Sequence, residues 1–117
     1  MAIFFVRFEH PDEDGWQRWL GPHVDWIREQ VERRVVLASG PSLGTPVRQG
    51  LLVMRAQDET ALRAILTTDP FWEHGIIENL QITGWDPVFG SLKEFSSTPG
   101  EVELDALVSR PTPGDHG

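Results

Sequence analysis

The sequence predicts an α+β fold with element order β-α-β-β-α-β, a four-stranded antiparallel sheet carrying both main helices on one face. Three observations predict it. Four short apolar runs bounded by Gly, Pro or Asp have the length and composition of strands. Two stretches with apolar residues at three- and four-residue spacing separate the first run from the second and the third from the fourth. The second and third runs are joined by a loop rich in Ser, Gly, Thr and Pro, which suits a hairpin and not a crossover.

Taken in order, residues 2–8 (Ala-Ile-Phe-Phe-Val-Arg-Phe) form the first strand. Alternation puts Ala2, Phe4, Val6 and Phe8 on one face and Ile3, Phe5 and Arg7 on the other. His10-Pro11-Asp12-Glu13-Asp14-Gly15 reads as a turn; its acids lack the spacing of a calcium loop. Trp16, Trp19, Leu20, His23, Ile27 and Val31 then make a helical stripe. Proline suits a first helical turn, so the main helix is expected over about 22–34, with 14–20 as a separate turn before it. His23 would then sit in the first turn, where the helix dipole favours neutral imidazole.

Residues 35–41 (Val-Val-Leu-Ala-Ser-Gly-Pro) read as a buried strand with Ser39 at its C-terminal end. A loop over 42–49 leads to the third strand, 50–56. Asp58 is a good N-cap for a helix over 59–67 with Ala61, Leu62, Ile65 and Leu66 as its stripe. Asp69-Pro70 opens a further short helical turn ending near Gly75, and residues 76–85 give the fourth strand. The domain is expected to span 1–96. Residues 97–117, rich in Ser, Thr, Pro, Gly and acids, read as a mobile acidic tail in which Val102, Leu104, Leu107 and Val108 form one amphipathic turn.

The order is that of the ferredoxin-like fold. Every strand offers apolar residues to both sides, although helices cover only one. An uncovered apolar sheet face is too large a patch for water, and a second copy of the same face is the simplest cover. A homodimer through the sheet is expected.

The chain has 117 residues, 10 basic against 18 acidic, with a net charge of −8. It lacks the basic face of a nucleic-acid binder. With no cysteine there is no disulfide, thiolate zinc site or Cys nucleophile. No apolar run is long enough for a membrane span and no signal pattern is present, so a cytoplasmic protein is expected. His10, His74 and His116 show no metal-ligand spacing, and there is no Gly-rich phosphate loop, so neither metal nor cofactor is expected.

Pro22-His23 at the start of the first helix, Leu37-Ala38-Ser39-Gly40-Pro41 at a strand end, Asp69-Pro70-Phe71 after the second helix and Trp85 in the closing strand together resemble the YCII-related (YciI-like) family. The likeness runs over about residues 2–90, and its most specific part is Ser39-Gly40-Pro41 and Asp69-Pro70-Phe71, in order, behind His23. It implies a dimeric α+β barrel, the fold also used by muconolactone isomerase and by cofactor-free monooxygenases. It also implies a His–Asp pair in a pocket between sheet and helices, which would be His23 and Asp69 here. One branch of the family is a dehydrochlorinase of chlorinated hydroxyhydroquinones.

The residues can be weighed separately. A histidine on an apolar stripe is often a satisfied core residue; as a catalyst, His23 would move protons, since imidazole titrates near working pH. Asp69 before a proline is ordinary capping, yet one oxygen can cap while the other accepts the His23 N–H. Ser39 either positions a substrate oxygen or finishes its strand, and nothing resembles a nucleophile elbow. Arg7 could meet an anionic substrate or an ion-pair partner at the sheet edge. Trp19, Trp26, Phe71 and Trp72 could line an aromatic-accepting pocket or fill the core. The expected activity is acid–base proton transfer or elimination on a small cyclic or aromatic molecule. His23 and Asp69 would be catalytic, with Ser39, Arg7 and Phe71 binding substrate. The rival readings are a non-catalytic binding module and a cofactor-free monooxygenase.

Overall fold

The computed structural model describes residues 1–97. The expected tail segment from 98 onward, with Val102, Leu104, Leu107 and Val108, lies outside the described residues. The described residues fall into two units, Met1–Trp85 and a second that begins at Asp86. Within the described part of the second, a 3-10 turn spans Lys93–Phe95, and the Asp86 carboxylate accepts hydrogen bonds from the hydroxyl and backbone N–H of Ser97 and from the Ser96 hydroxyl.

The first unit contains β1 (Ala2–His10), α1 (Glu13–Glu32), β2 (Val36–Pro41), β3 (Arg48–Ala56), α2 (Glu59–Leu66), α3 (Pro70–Glu73) and β4 (Glu78–Trp85). The strands form one antiparallel sheet in the order β2-β3-β1-β4, which is the ferredoxin-like arrangement. Period-two alternation sends Phe4, Val6 and Phe8 of β1, with Leu52, Met54 and Ala56 of β3, into a core closed by Trp26, Leu62 and Leu66 from the helices. Each fully buried aliphatic or aromatic side chain contributes about 1.5–3 kcal/mol. The opposite sheet face carries Phe5, Arg7, Leu51 and Val53, which keep part of their surface exposed.

Three sequence expectations are corrected. Pro22 does not open a helix: α1 runs unbroken from Glu13 with Pro22 inside it. The true start is Asp12, whose carboxylate accepts the Gly15 N–H at 2.9 Å. An interior proline costs a hydrogen bond and about 3 kcal/mol. The additional N-terminal turns offset this by laying Trp16, Trp19 and Leu20 partly out of solvent. Further along the helix the stripe ends on buried Gln30, while Val31 is exposed.

Second, β2 is an edge strand, and its last four residues are exposed. Its pairing with β3 slips between Val36 and Ala38. Strict alternation from Val36 would turn Ser39 away from the helices. The bulge instead pairs Ser39 with Leu52, whose side chain is in the core, so both share the helix-covered face. Third, β1 extends two residues beyond Phe8, and His10 becomes the next residue on its inward face.

Phe8 faces Gly50 across the β1–β3 ladder, and a Cβ on Gly50 would come within 2.6 Å of the Phe8 ring. Gly50→Ala must displace that ring from the core. The expected loss is about 1–3 kcal/mol, read as a lower denaturant midpoint at unchanged m-value.

Candidate active site

The site forms where α1, the start of α3 and the ends of β1, β2 and β3 meet. Asp69 is the residue before α3; Pro70 takes the first helical position, and the carboxylate Oδ1 accepts the Phe71 N–H at 3.0 Å. The same Oδ1 accepts His23 Nδ1–H at 2.8 Å. Capping and pairing thus share one oxygen, where the sequence suggested one for each. Oδ2 is buried and has no hydrogen-bond partner among the described residues. Asp69 as a whole is 1 % exposed. A buried carboxylate with an unbonded oxygen concentrates its charge on the few groups it touches, and the imidazole is one of them.

His23 lies in the middle of α1 and not in its first turn, so the helix-dipole argument for a neutral ring lapses. Its orientation is set by contacts. Nδ1–H is held by Asp69, and the ring stacks on Phe71 with centroids 4.0 Å apart and planes 12° from parallel. Nearby, Trp26 Nε1–H donates to the Thr68 hydroxyl at 2.8 Å, and that hydroxyl donates to the Ile65 carbonyl. This chain of bonds ties α1 to the segment that carries Asp69. With Nδ1 occupied, Nε2 is the nitrogen His23 can offer to a ligand.

A cavity of about 370 Å³ adjoins the pair, within the range of small-molecule sites. His23, Phe71, Ser39 and Gly40 line it, as do Phe8, Trp16 and Gln49. Among its lining residues none carries a formal charge except through imidazole. Beside the lining residue Trp16, Arg48 donates hydrogen bonds to both oxygens of the Glu13 carboxylate and lies over the Trp16 ring at 3.7 Å. Its hydrogen bonds hold the Glu13 carboxyl below the usual range.

Of the five expected site residues, the structure brings four together: His23, Asp69, Ser39 and Phe71. Arg7 is corrected. It alternates onto the opposite sheet face with Phe5, and its guanidinium donates to the Gln81 side chain. Among the four aromatics expected at the pocket, Phe71 lines it. Trp19 instead stacks on His74, Trp26 is buried in the core and Trp72 packs against it.

Sequence reasoning missed His10. This residue is 2 % exposed, lines the cavity and donates Nδ1–H to the Ile76 carbonyl at 2.9 Å. The signal was the alternation Phe4, Val6, Phe8, His10, hidden by the assumption that Pro11 ends the strand early. Burial holds the His10 imidazole below its ordinary 6.5, opposed by the Ile76 carbonyl; His23 and Arg48 lower it further, and Asp69 raises it. No three His, Asp or Glu side chains converge as a metal-ligand set among the described residues.

Residues 3–86 match the YCII-related domain. The chain belongs to that family. Its fold is shared with the 5-chloro-2-hydroxyhydroquinone dehydrochlorinase of Burkholderia phenoliruptrix, solved with 2,5-dihydroxybenzoquinone. The two superpose with a TM-score of 0.62 at 17 % identity, over 74 % of this chain and 94 % of that one. No curated protein matches the sequence. No helix among the described residues is long and apolar enough to cross a membrane.

The His10 environment predicts a pH effect on stability. The unfolded chain takes up this proton near 6.5, whereas the folded chain resists it to lower pH. Stability therefore falls as pH drops below 6.5 and levels off once the folded form is also protonated. Urea unfolding across this window should show that slope in the wild type and a flatter one in His10→Asn.

Proposed function

We propose that this YCII-related protein is an acid–base enzyme that needs no cofactor and acts on a small, uncharged, hydroxylated cyclic or aromatic molecule. The observation that carries the reading is the 2.8 Å His23–Asp69 hydrogen bond beside an apolar cavity of ring-molecule size. His23 Nε2 accepts the proton of a ring hydroxyl or of an acidified C–H. For a hydroxyl, the O–H electron pair becomes the new C=O bond. The displaced ring π pair then takes a proton from the imidazolium at carbon, which is isomerisation. Where the carbon so protonated carries an anionic leaving group, loss of a second hydroxyl proton to His23 forms another C=O bond and sends a π pair to expel that group, which is elimination. Asp69 keeps the ring in the Nδ1–H tautomer and stabilises the imidazolium between the two proton transfers. Ser39 at the rim positions a substrate oxygen, and Phe71 fixes the plane of His23.

The uncharged lining favours a neutral substrate over an anionic one, because desolvating a charge without a partner is costly. Loss of chloride from a hydroxylated ring, the activity for which the Burkholderia enzyme is named, is one elimination this reading includes.

His23→Ala and Asp69→Asn test the role. Assayed on chlorinated hydroquinones and on lactones, each should lower kcat by about 10²–10⁴ while the protein remains folded. Turnover unchanged in a folded His23→Ala protein would reject acid–base catalysis by this residue and favour a binding module. Oxygen uptake dependent on quinols would favour a monooxygenase.

The working unit of this proposal is a homodimer formed through the open sheet face, supported by the partly exposed apolar residues Phe5, Leu51 and Val53. Light scattering should give twice the 13.2 kDa chain mass, and Val53→Glu should return the protein to a monomer. A wild-type monomer at micromolar concentration would contradict the dimer.

A further inference from the structure

His10 is not used by the His23–Asp69 mechanism, yet it occupies the same cavity. Its environment resembles that of His23 in one respect: an oxygen that can only accept holds Nδ1. For His23 that oxygen is the Asp69 carboxylate at 2.8 Å, and for His10 it is the Ile76 carbonyl at 2.9 Å. Each ring therefore carries its proton on Nδ1 and has a lone pair on Nε2 when neutral.

Both rings touch Phe71. The His23 ring lies parallel to it at 4.0 Å between centroids, and the His10 ring meets it edge-on at 4.7 Å, tilted 61°. Phe8 also packs against the His10 ring, at 4.9 Å between centroids. The two imidazoles are thus separated by a single aromatic side chain on one cavity wall, and both are fixed in orientation. They differ in the charge around them. His23 has a carboxylate in direct contact, while His10 has a neutral amide carbonyl and an aromatic cage. The His10 ring is thus equipped to stay neutral and accept a hydrogen bond.

We infer that His10 is a second ligand-binding imidazole of this cavity, whose Nε2 accepts a hydrogen bond from the ligand, so that the ligand carries one hydroxyl for His23 and another for His10. The ligand class is a small ring with two hydroxyl donors. A ring with a single hydroxyl would leave one imidazole acceptor without a ligand donor, which binding sites built from hydrogen-bonding groups discriminate against. The inference rests on the proposal that this cavity is the ligand site, but not on catalysis there.

The test uses the full chain, labelled with ¹⁵N, and two probes that differ in one donor: hydroquinone and 4-methoxyphenol. Long-range ¹H–¹⁵N spectra at pH 7 should show His10 as the Nδ1–H tautomer, and hydroquinone should shift its Nε2 resonance. Hydroquinone should bind about three- to tenfold more tightly than 4-methoxyphenol, the effect of one neutral hydrogen bond. His10→Asn keeps an amide N–H where Nδ1–H bonds the Ile76 carbonyl and removes Nε2. It should stay folded and bind the two probes equally.

A hydroquinone preference that survives in folded His10→Asn would overturn the inference. So would an Nε2 resonance unmoved by bound hydroquinone, a reading that needs only the wild type, or failure of both probes to bind at millimolar concentration. Turnover insensitive to His23→Ala, with the probe preference still dependent on His10, would remove the acid–base mechanism and leave the two-hydroxyl site standing.

Discussion

One buried carboxylate organises this molecule's working end. Asp69 terminates the chain's turn after α2, starts α3 through the Phe71 N–H, and holds the imidazole of His23 from α1 with the same oxygen. These are local and long-range constraints met by a single atom. The arrangement sets the approach of α1 to α3, because the His23 ring must reach Asp69 and lie flat on Phe71 at once. The bond between Trp26 and Thr68, one turn along α1 and one residue before Asp69, reinforces the same junction.

The remainder of the site follows from the sheet. Phe8 and His10 reach the cavity because β1 alternates without interruption to its end. Gly50 leaves room for the Phe8 ring, so the cavity floor is defined by the absence of a side chain as much as by those present. The bulge in β2 turns Ser39 toward the same space. Polar groups are few and sit on an apolar surface, the usual design of a small-molecule site, in which a handful of hydrogen bonds fix orientation. Asp69 Oδ2 is buried with no hydrogen-bond partner among the described residues.

Much of this was legible in the sequence, for identifiable reasons. The element order followed from period-two and helical spacing, and Asp58 and Asp69 announced their helices because capping is a local interaction. The pairing of His23 with Asp69, across 46 residues, is not local; it came from the resemblance of Pro22-His23, Ser39-Gly40-Pro41 and Asp69-Pro70-Phe71 to a known family. His10 was missed, and other features departed from expectation. Proline's intrinsic preference placed it at a helix start, but packing of Trp16, Trp19 and Leu20 overrode that preference and carried α1 through Pro22. The β2 bulge leaves no compositional trace, so the face of Ser39 could not be counted from alternation. Arg7 was weighed from its apolar neighbours; it lies on the outer sheet face and donates to Gln81.

The most direct test of the account is the state of the His23 ring itself. Long-range ¹H–¹⁵N spectra of the wild type and of Asp69→Asn read the tautomer and its hydrogen bond without reference to any substrate. In the wild type, His23 should carry a proton on Nδ1, with a downfield, slowly exchanging resonance that is lost or moves upfield in Asp69→Asn. A ring protonated on Nε2 alone, or spectra unchanged by the substitution, would mean that the carboxylate does not hold the imidazole.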